Sequence, residues 1–120
     1  MKPHEAKQCA SVRDLFQTVG SKWAGLIVTR LAESPKRFSE LRRELGTVTQ
    51  KSLTTTLRRL ERDGLIKRTV TATIPPRVDY ALTELGGTLM PALQGLVDWT
   101  VAHHGDVLEA RTRYDQNGEA

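Results

Sequence analysis

Residues 49–63 read Thr49-Gln50-Lys51-Ser52-Leu53-Thr54-Thr55-Thr56-Leu57-Arg58-Arg59-Leu60-Glu61-Arg62-Asp63. Helical residues advance by about 100° each, so Leu53, Leu57 and Leu60 gather on one side of this segment. Lys51, Thr55, Arg58 and Arg62 fall on the other side, flanked by Thr54 and Arg59. Thr49 can cap the helix, and Asp63-Gly64 closes it. A helix made soluble by charge alone would mix Glu with Lys for i,i+4 support. Here the only acids, Glu61 and Asp63, lie at the C-terminal end, and the first three turns offer a basic, hydroxylic face.

The neighbouring segments give this helix a setting. Ser39 is the expected cap of a preceding helix with Leu41 and Leu45 turned inward, Phe38 packed at its entrance and Gly46 in the left-handed position at its end. Only Gly46-Thr47-Val48 separates the two, so residues 38–63 form a helix-turn-helix candidate. After Leu65, the β-branched residues Ile66, Thr69, Val70, Thr71, Thr73 and Ile74 favour a strand. Pro75-Pro76 breaks it, and Arg77 to Leu82 alternates as a return strand. The hairpin at 65–82 is in the position of a wing.

Upstream, Val12, Leu15, Phe16 and Val19 recur at helical spacing until Gly20. Ser21 is the expected cap of a second helix reaching about Leu31, with Trp23, Leu26, Ile27 and Leu31 apolar, stopped by Ser34-Pro35. Downstream, Thr83-Glu84 starts a long helix to about His104, with Leu85, Leu89, Leu93, Leu96, Val97 and Val101 apolar; Pro91 should bend or divide it. Residues 105–120 read as frayed and polar.

The chain's 120 residues suit one domain. Its net charge of +4 conceals a segregation. Residues 36–77 hold eleven Lys and Arg against four Asp and Glu, a net +7, while the flanks carry −3. A polyanion is therefore drawn to the middle of the chain, although a solvated arginine-rich surface would give the same count. No apolar stretch approaches the roughly 20 residues of a membrane-spanning helix. With a single cysteine and no export signal, the expected location is the cytoplasm and no membrane partner is expected.

The exposed face of the 49–63 helix suits the major groove of duplex DNA. Gln pairs bidentately with adenine, Lys or Arg with guanine, and Thr methyls touch thymine. Recognition helices read bases mainly through their N-terminal residues. Gln50, Lys51, Thr54 and Thr55 are thus the candidates for base edges, with Arg58 reaching a base or holding phosphate and Arg59 and Arg62 beside it. Arg68 and Arg77 on the wing could meet phosphate or the adjacent minor groove, and Lys36 and Arg37 could clamp the backbone.

The order of motifs resembles the HxlR-type winged-helix regulators from about Cys9 to Trp99. The resemblance rests on Gly20-Ser21-Lys22-Trp23, Arg37-Phe38-Ser39-Glu40-Leu41-Arg42, Lys51-Ser52-Leu53-Thr54 and Leu57-Arg58-Arg59-Leu60-Glu61-Arg62-Asp63-Gly64-Leu65. It continues in Pro75-Pro76-Arg77-Val78-Asp79-Tyr80 and Leu82-Thr83-Glu84-Leu85-Gly86, with a cysteine near the N-terminus. It implies an α+β, mostly α fold: a winged helix-turn-helix with a two-stranded hairpin wing and terminal helices, about 9–19 and 84–104, forming a dimer interface. It also implies a homodimeric, sequence-specific transcriptional regulator whose two recognition helices enter successive major grooves of a pseudo-palindromic operator. With no activation domain visible, repression is the default. The apolar residues Leu85, Leu89, Leu93, Leu96 and Trp99, spread over more than one helix face, accord with dimerisation.

Some members of that family respond to quinones, aldehydes or oxidants through an N-terminal cysteine, which makes Cys9 a candidate sensor. Lys7 and Arg13 would favour its thiolate if near in space; the alternative is a cysteine packed between the terminal helices. A pocket between subunits lined by Trp23, Trp99 and Tyr80 could hold a small aromatic effector, or those residues are simply core. Adjacent His103 and His104 point about 100° apart and cannot easily share a metal with Asp106. No phosphate loop, catalytic dyad or metal-ligand spacing appears, so neither enzymatic activity nor a cofactor is expected. The rival reading is a winged-helix module binding RNA or a protein through the basic face; its sparse aromatics argue against single strands, which are held by stacking.

Overall fold

A computed structural model of the chain describes the backbone of residues 3–118 and the side chains of residues 8–118. Its elements are α1 (Pro3–Val19), α2 (Lys22–Glu33), α3 (Phe38–Leu45), α4 (Gln50–Arg62), β1 (Ile66–Thr71), β2 (Arg77–Leu82), α5 (Glu84–Gly87) and α6 (Met90–Gln116). They fall into two compact units, one ending at Met90 and one beginning at Pro91.

In the first unit α2 is the central strut, packed against α1, α3, α4, β2 and α5. Its buried residues are Ala24, Ile27, Val28 and Leu31. Leu26, expected among them, is exposed, and the inward face has turned to include Ala24 and Val28. Leu41, Val48, Leu53, Leu57, Leu60, Leu65 and Ile66 complete the core, with Trp23, Phe38 and Tyr80 partly buried against it. Helix α1 is divided between core and surface. Val19 packs on the core, but Val12, Leu15 and Phe16 are exposed by 58%, 45% and 72%. Their stripe is real and points away from the body.

Two caps also differ from the sequence reading. Ser21 precedes α2, yet its hydroxyl donates to the Thr18 carbonyl at 2.8 Å rather than accepting from the helix. Helix α3 begins two residues earlier than a Ser39 cap would allow: Arg37 is the capping residue, and its N–H donates to the Glu40 carboxylate at 3.0 Å. That bond is the acidic half of a capping box, and it draws Phe38 into the first turn. Gly46 ends α3 at φ +70° and ψ −85°, a positive-φ γ-turn in which the Thr47 N–H donates to the Leu45 carbonyl at 2.9 Å, rather than the left-handed helical cap expected of it.

Strands β1 and β2 pair antiparallel from Ile66–Leu82 to Thr71–Arg77, with Pro75 and Pro76 in the connecting loop. The hairpin is not alone. Lys36 forms an isolated antiparallel bridge to Tyr80, so the segment entering α3 lies beside β2 as a third, one-residue strand. The hairpin base is closed by Thr83, whose hydroxyl donates to the Gly64 carbonyl at 2.6 Å and accepts from the Gly86 N–H at 3.0 Å. Gly86 has no substitute here, because a Cβ on it would lie 2.0 Å from the Leu65 carbonyl oxygen.

The expected helix from Thr83 is divided. The short α5 ends before Thr88, and α6 starts at Met90 with Pro91 in its first turn, where a missing N–H costs least. Helix α6 then runs to Gln116, so residues 105–116 are helical rather than frayed. Leu108, Glu109, Ala110 and Arg111 are strong helix formers that carry the chain past Gly105. On α6 the His103 ring stacks on Trp99 at 4.7 Å, and its Nδ1 lies 2.9 Å from the Trp99 carbonyl. None of the described helices is long and apolar enough to cross a membrane.

Candidate nucleic-acid interface

Helix α4 is held on the body by Leu53, Leu57 and Leu60, all at most 2% exposed. The Thr49 hydroxyl accepts from the Ser52 N–H at 3.0 Å, which fixes the first turn as the sequence predicts. With the leucines inward, Gln50, Lys51, Thr55, Arg58, Arg59 and Arg62 are exposed, and Thr54 is half-buried. Of the expected N-terminal reading set, Gln50, Lys51 and Thr55 are open to solvent and Thr54 is only partly so.

Arg42 is a neighbour that the charge pattern does not single out. Its Nη1 donates to Gln50 Oε1 at 3.5 Å, a contact between the last turn of α3 and the first turn of α4. This leaves the Gln50 amide N–H groups free to donate. A short turn after α3 was the available signal, since it necessarily brings these two helix ends together.

The remaining cations divide into two groups. On the wing side, Thr54 and Arg58 of α4 face Arg68 and Tyr80 across a groove of 380 Å³. On the opposite side, Arg59, Arg62 and Asp63 share a smaller hollow of 190 Å³ with Asp14, Gln17 and Thr18 of α1. Arg58 and Arg68 thus converge, while Arg59 and Arg62 look toward α1 and its acid. The helical wheel placed Arg58 and Arg62 together; the hairpin and α1 separate them.

Lys36 is only 12% exposed at its side chain, and its ammonium lies 3.3 Å from Glu44 Oε2. It joins α3 to the incoming segment. Arg37 beside it is exposed. On β2 the Arg77 guanidinium lies 3.0 Å from Asp79 Oδ2, which steadies it at the end of the strand while leaving it half exposed. Cys9 is exposed on α1, in a mostly apolar hollow with Val12, Arg13 and Phe16; the side chain of Lys7, its other expected cationic neighbour, lies outside the described residues.

A helix-turn-helix whose second helix carries no acid before Glu61, followed by an antiparallel hairpin wing, defines a winged helix-turn-helix protein. Residues 18–107 match the model of the HxlR-like helix-turn-helix family, and the chain belongs to that family. It is similar to an HTH-type transcriptional regulator of Halalkalibacterium halodurans, 45% identical over 89 residues that make up 73% of this chain and 79% of that one. Among solved structures it resembles the transcriptional regulator ytfH of Salmonella typhimurium, with TM-score 0.75 and 37% identity over 84% of this chain and 90% of that one. It also resembles the redox regulator HypR in its reduced form, with TM-score 0.72 and 39% identity over 83% of this chain and 98% of that one. HypR has been solved in an oxidized form too. The chain is an HTH-type transcriptional regulator, as its motifs imply.

Proposed function

We propose that the protein is a cytoplasmic, homodimeric repressor that occludes a pseudo-palindromic operator, with α4 of each subunit in the major groove. The observation that carries this reading is the open N-terminal face of α4, where Gln50, Lys51 and Thr55 are exposed and no acid interrupts them. In this reading Lys51 and Thr55 meet base edges, Gln50 reads adenine with its free amide, and Arg58 and Arg68 take phosphate. Arg37, Arg77, Arg59 and Arg62 add phosphate contacts from the flanks, while Lys36 acts through the packing of α3.

The second copy is argued from uncovered apolar surface. Helix α1 exposes Val12, Leu15 and Phe16, and α6 exposes Leu96, Trp99 and Val101. Stripes of this kind mark protein interfaces, and a two-fold dimer sets the half-sites about one helical turn, roughly 34 Å, apart. Selection of preferred sequences from random duplexes tests the whole reading. A pseudo-palindrome with that spacing, bound with an affinity that falls steeply with salt, is the expected result. Failure to bind any duplex would transfer the basic face to an RNA or protein partner.

A second reading concerns the signal. Cys9 is exposed beside Arg13, and one of the similar proteins is a redox regulator. Electrophiles or oxidants would modify the thiol and alter operator affinity. Mass spectrometry and a nonreducing gel after diamide or quinone treatment test this: an adduct or cross-link on Cys9 with changed DNA binding is expected, and unchanged binding without an adduct excludes it.

A further inference from the structure

We infer that the groove between α4 and the wing is a binding site for a small aromatic carboxylate, and that its occupant competes with DNA for Arg58 and Arg68. The groove encloses 380 Å³, within the range of roughly 300–1,000 Å³ usual for small-molecule sites. Its apolar part is built from the buried Leu57 and the half-buried rings of Phe38 and Tyr80. Such a floor and walls suit a single aromatic ring, which pairs favourably with other rings in offset or edge-on geometry.

The polar side of the groove is supplied by Arg58, Arg68 and Glu61. None of the three has an ion-pair partner within 4.0 Å among the described residues. That distinguishes them from Lys36 and Arg77, whose charges are already matched by Glu44 and Asp79. Two unpaired guanidiniums bordering an aromatic crevice favour a planar anion, because each presents a fork of N–H donors matching the two oxygens of a carboxylate. Glu61 sets the charge of the ligand. A monoanion leaves the site balanced against two arginines and one glutamate, whereas a phosphate dianion adds repulsion.

The proposed consequence for regulation rests on the DNA reading. Arg58 projects from the recognition helix and Arg68 from the wing, so a ligand held by both withdraws two cations from the duplex at once. The groove is lined by residues of α3, α4, β1 and β2.

The test uses the full-length protein, with benzoate as probe and benzamide and phenyl phosphate as comparisons. In ¹H–¹⁵N spectra recorded without DNA, benzoate should give saturable shifts centred on Leu57, Arg68 and Tyr80, with benzamide and phenyl phosphate binding more weakly. Arg68→Ala should weaken benzoate at least about tenfold, the scale of a lost charge-assisted contact, and Glu61→Gln should tighten it severalfold. A thermal melt of each variant confirms that it is folded. Shifts that do not saturate, that benzamide reproduces equally, or that Arg68→Ala leaves unchanged overturn the site. In a second arm, benzoate should release a labelled duplex where acetate at the same ionic strength does not. A protein that binds benzoate but no duplex keeps the site and overturns its regulatory role; one that binds duplex yet gives no benzoate shifts overturns the site alone.

Discussion

Lys36 and Tyr80 exchange both backbone hydrogen bonds: the Lys36 N–H donates to the Tyr80 carbonyl at 2.9 Å, and the Tyr80 N–H donates to the Lys36 carbonyl at 2.8 Å. This pair ties the wing to the segment that enters the helix-turn-helix, so separating the two frees both amides together. Native-state hydrogen exchange should show them protected to a similar degree. Rapid exchange of both amides while the β1–β2 ladder stays protected would mean that the wing swings free.

The division of labour between helix and wing is open to measurement. Lys51→Ala should change which base is preferred at one position of the selected operator. Arg77→Ala should weaken all sequences alike and reduce the salt dependence by about one phosphate contact. Competition binding against a panel of single-base operator variants separates the two outcomes, and uniform effects from both substitutions would overturn the assignment of roles.

Capping of α4 by Thr49 supports both stability and the orientation of the reading turn. Thr49→Ala should cost about 1 kcal/mol, read as a lower midpoint in urea. Gln50 and Lys51 follow directly, so DNA affinity should fall with it.

Gly86 tolerates no side chain, since a Cβ would overlap the Leu65 carbonyl oxygen. Gly86→Ala should therefore force β1 away from α5 and destabilise the domain by about 2 kcal/mol or more, at the upper end for overpacked sites. Gly87→Ala is the control, because open space surrounds that position; calorimetry of the pair isolates the clash.

If α1 contributes to the dimer, Phe16→Glu should produce a monomer without unfolding it, because Phe16 is 72% exposed in the isolated chain. Sedimentation velocity measures the mass. A monomer binding a full operator much more weakly than a half-site doublet requires would link dimerisation to recognition; an unchanged dimer would place the interface elsewhere.

Much of this molecule is legible in its sequence because the relevant forces are local and periodic. The three leucines of residues 49–63 had to share a face at 3.6 residues per turn, and once that face was buried Lys51, Thr55 and Arg58 had to look outward. Gly46 and the β-branched run from Ile66 declare a turn and a strand by their own conformational preferences, and Pro91 announces a break. The tertiary structure decided what depends on residues distant in sequence. It turned Leu26 outward and Val28 inward, since which side of α2 meets the core is set by the helices packed on it. It separated Arg58, facing the wing, from Arg59 and Arg62, facing α1, and it paired Lys36 with Glu44 and Tyr80. Periodicity locates a side chain on its own helix; only the packing of one element on another determines the charges and rings that it faces.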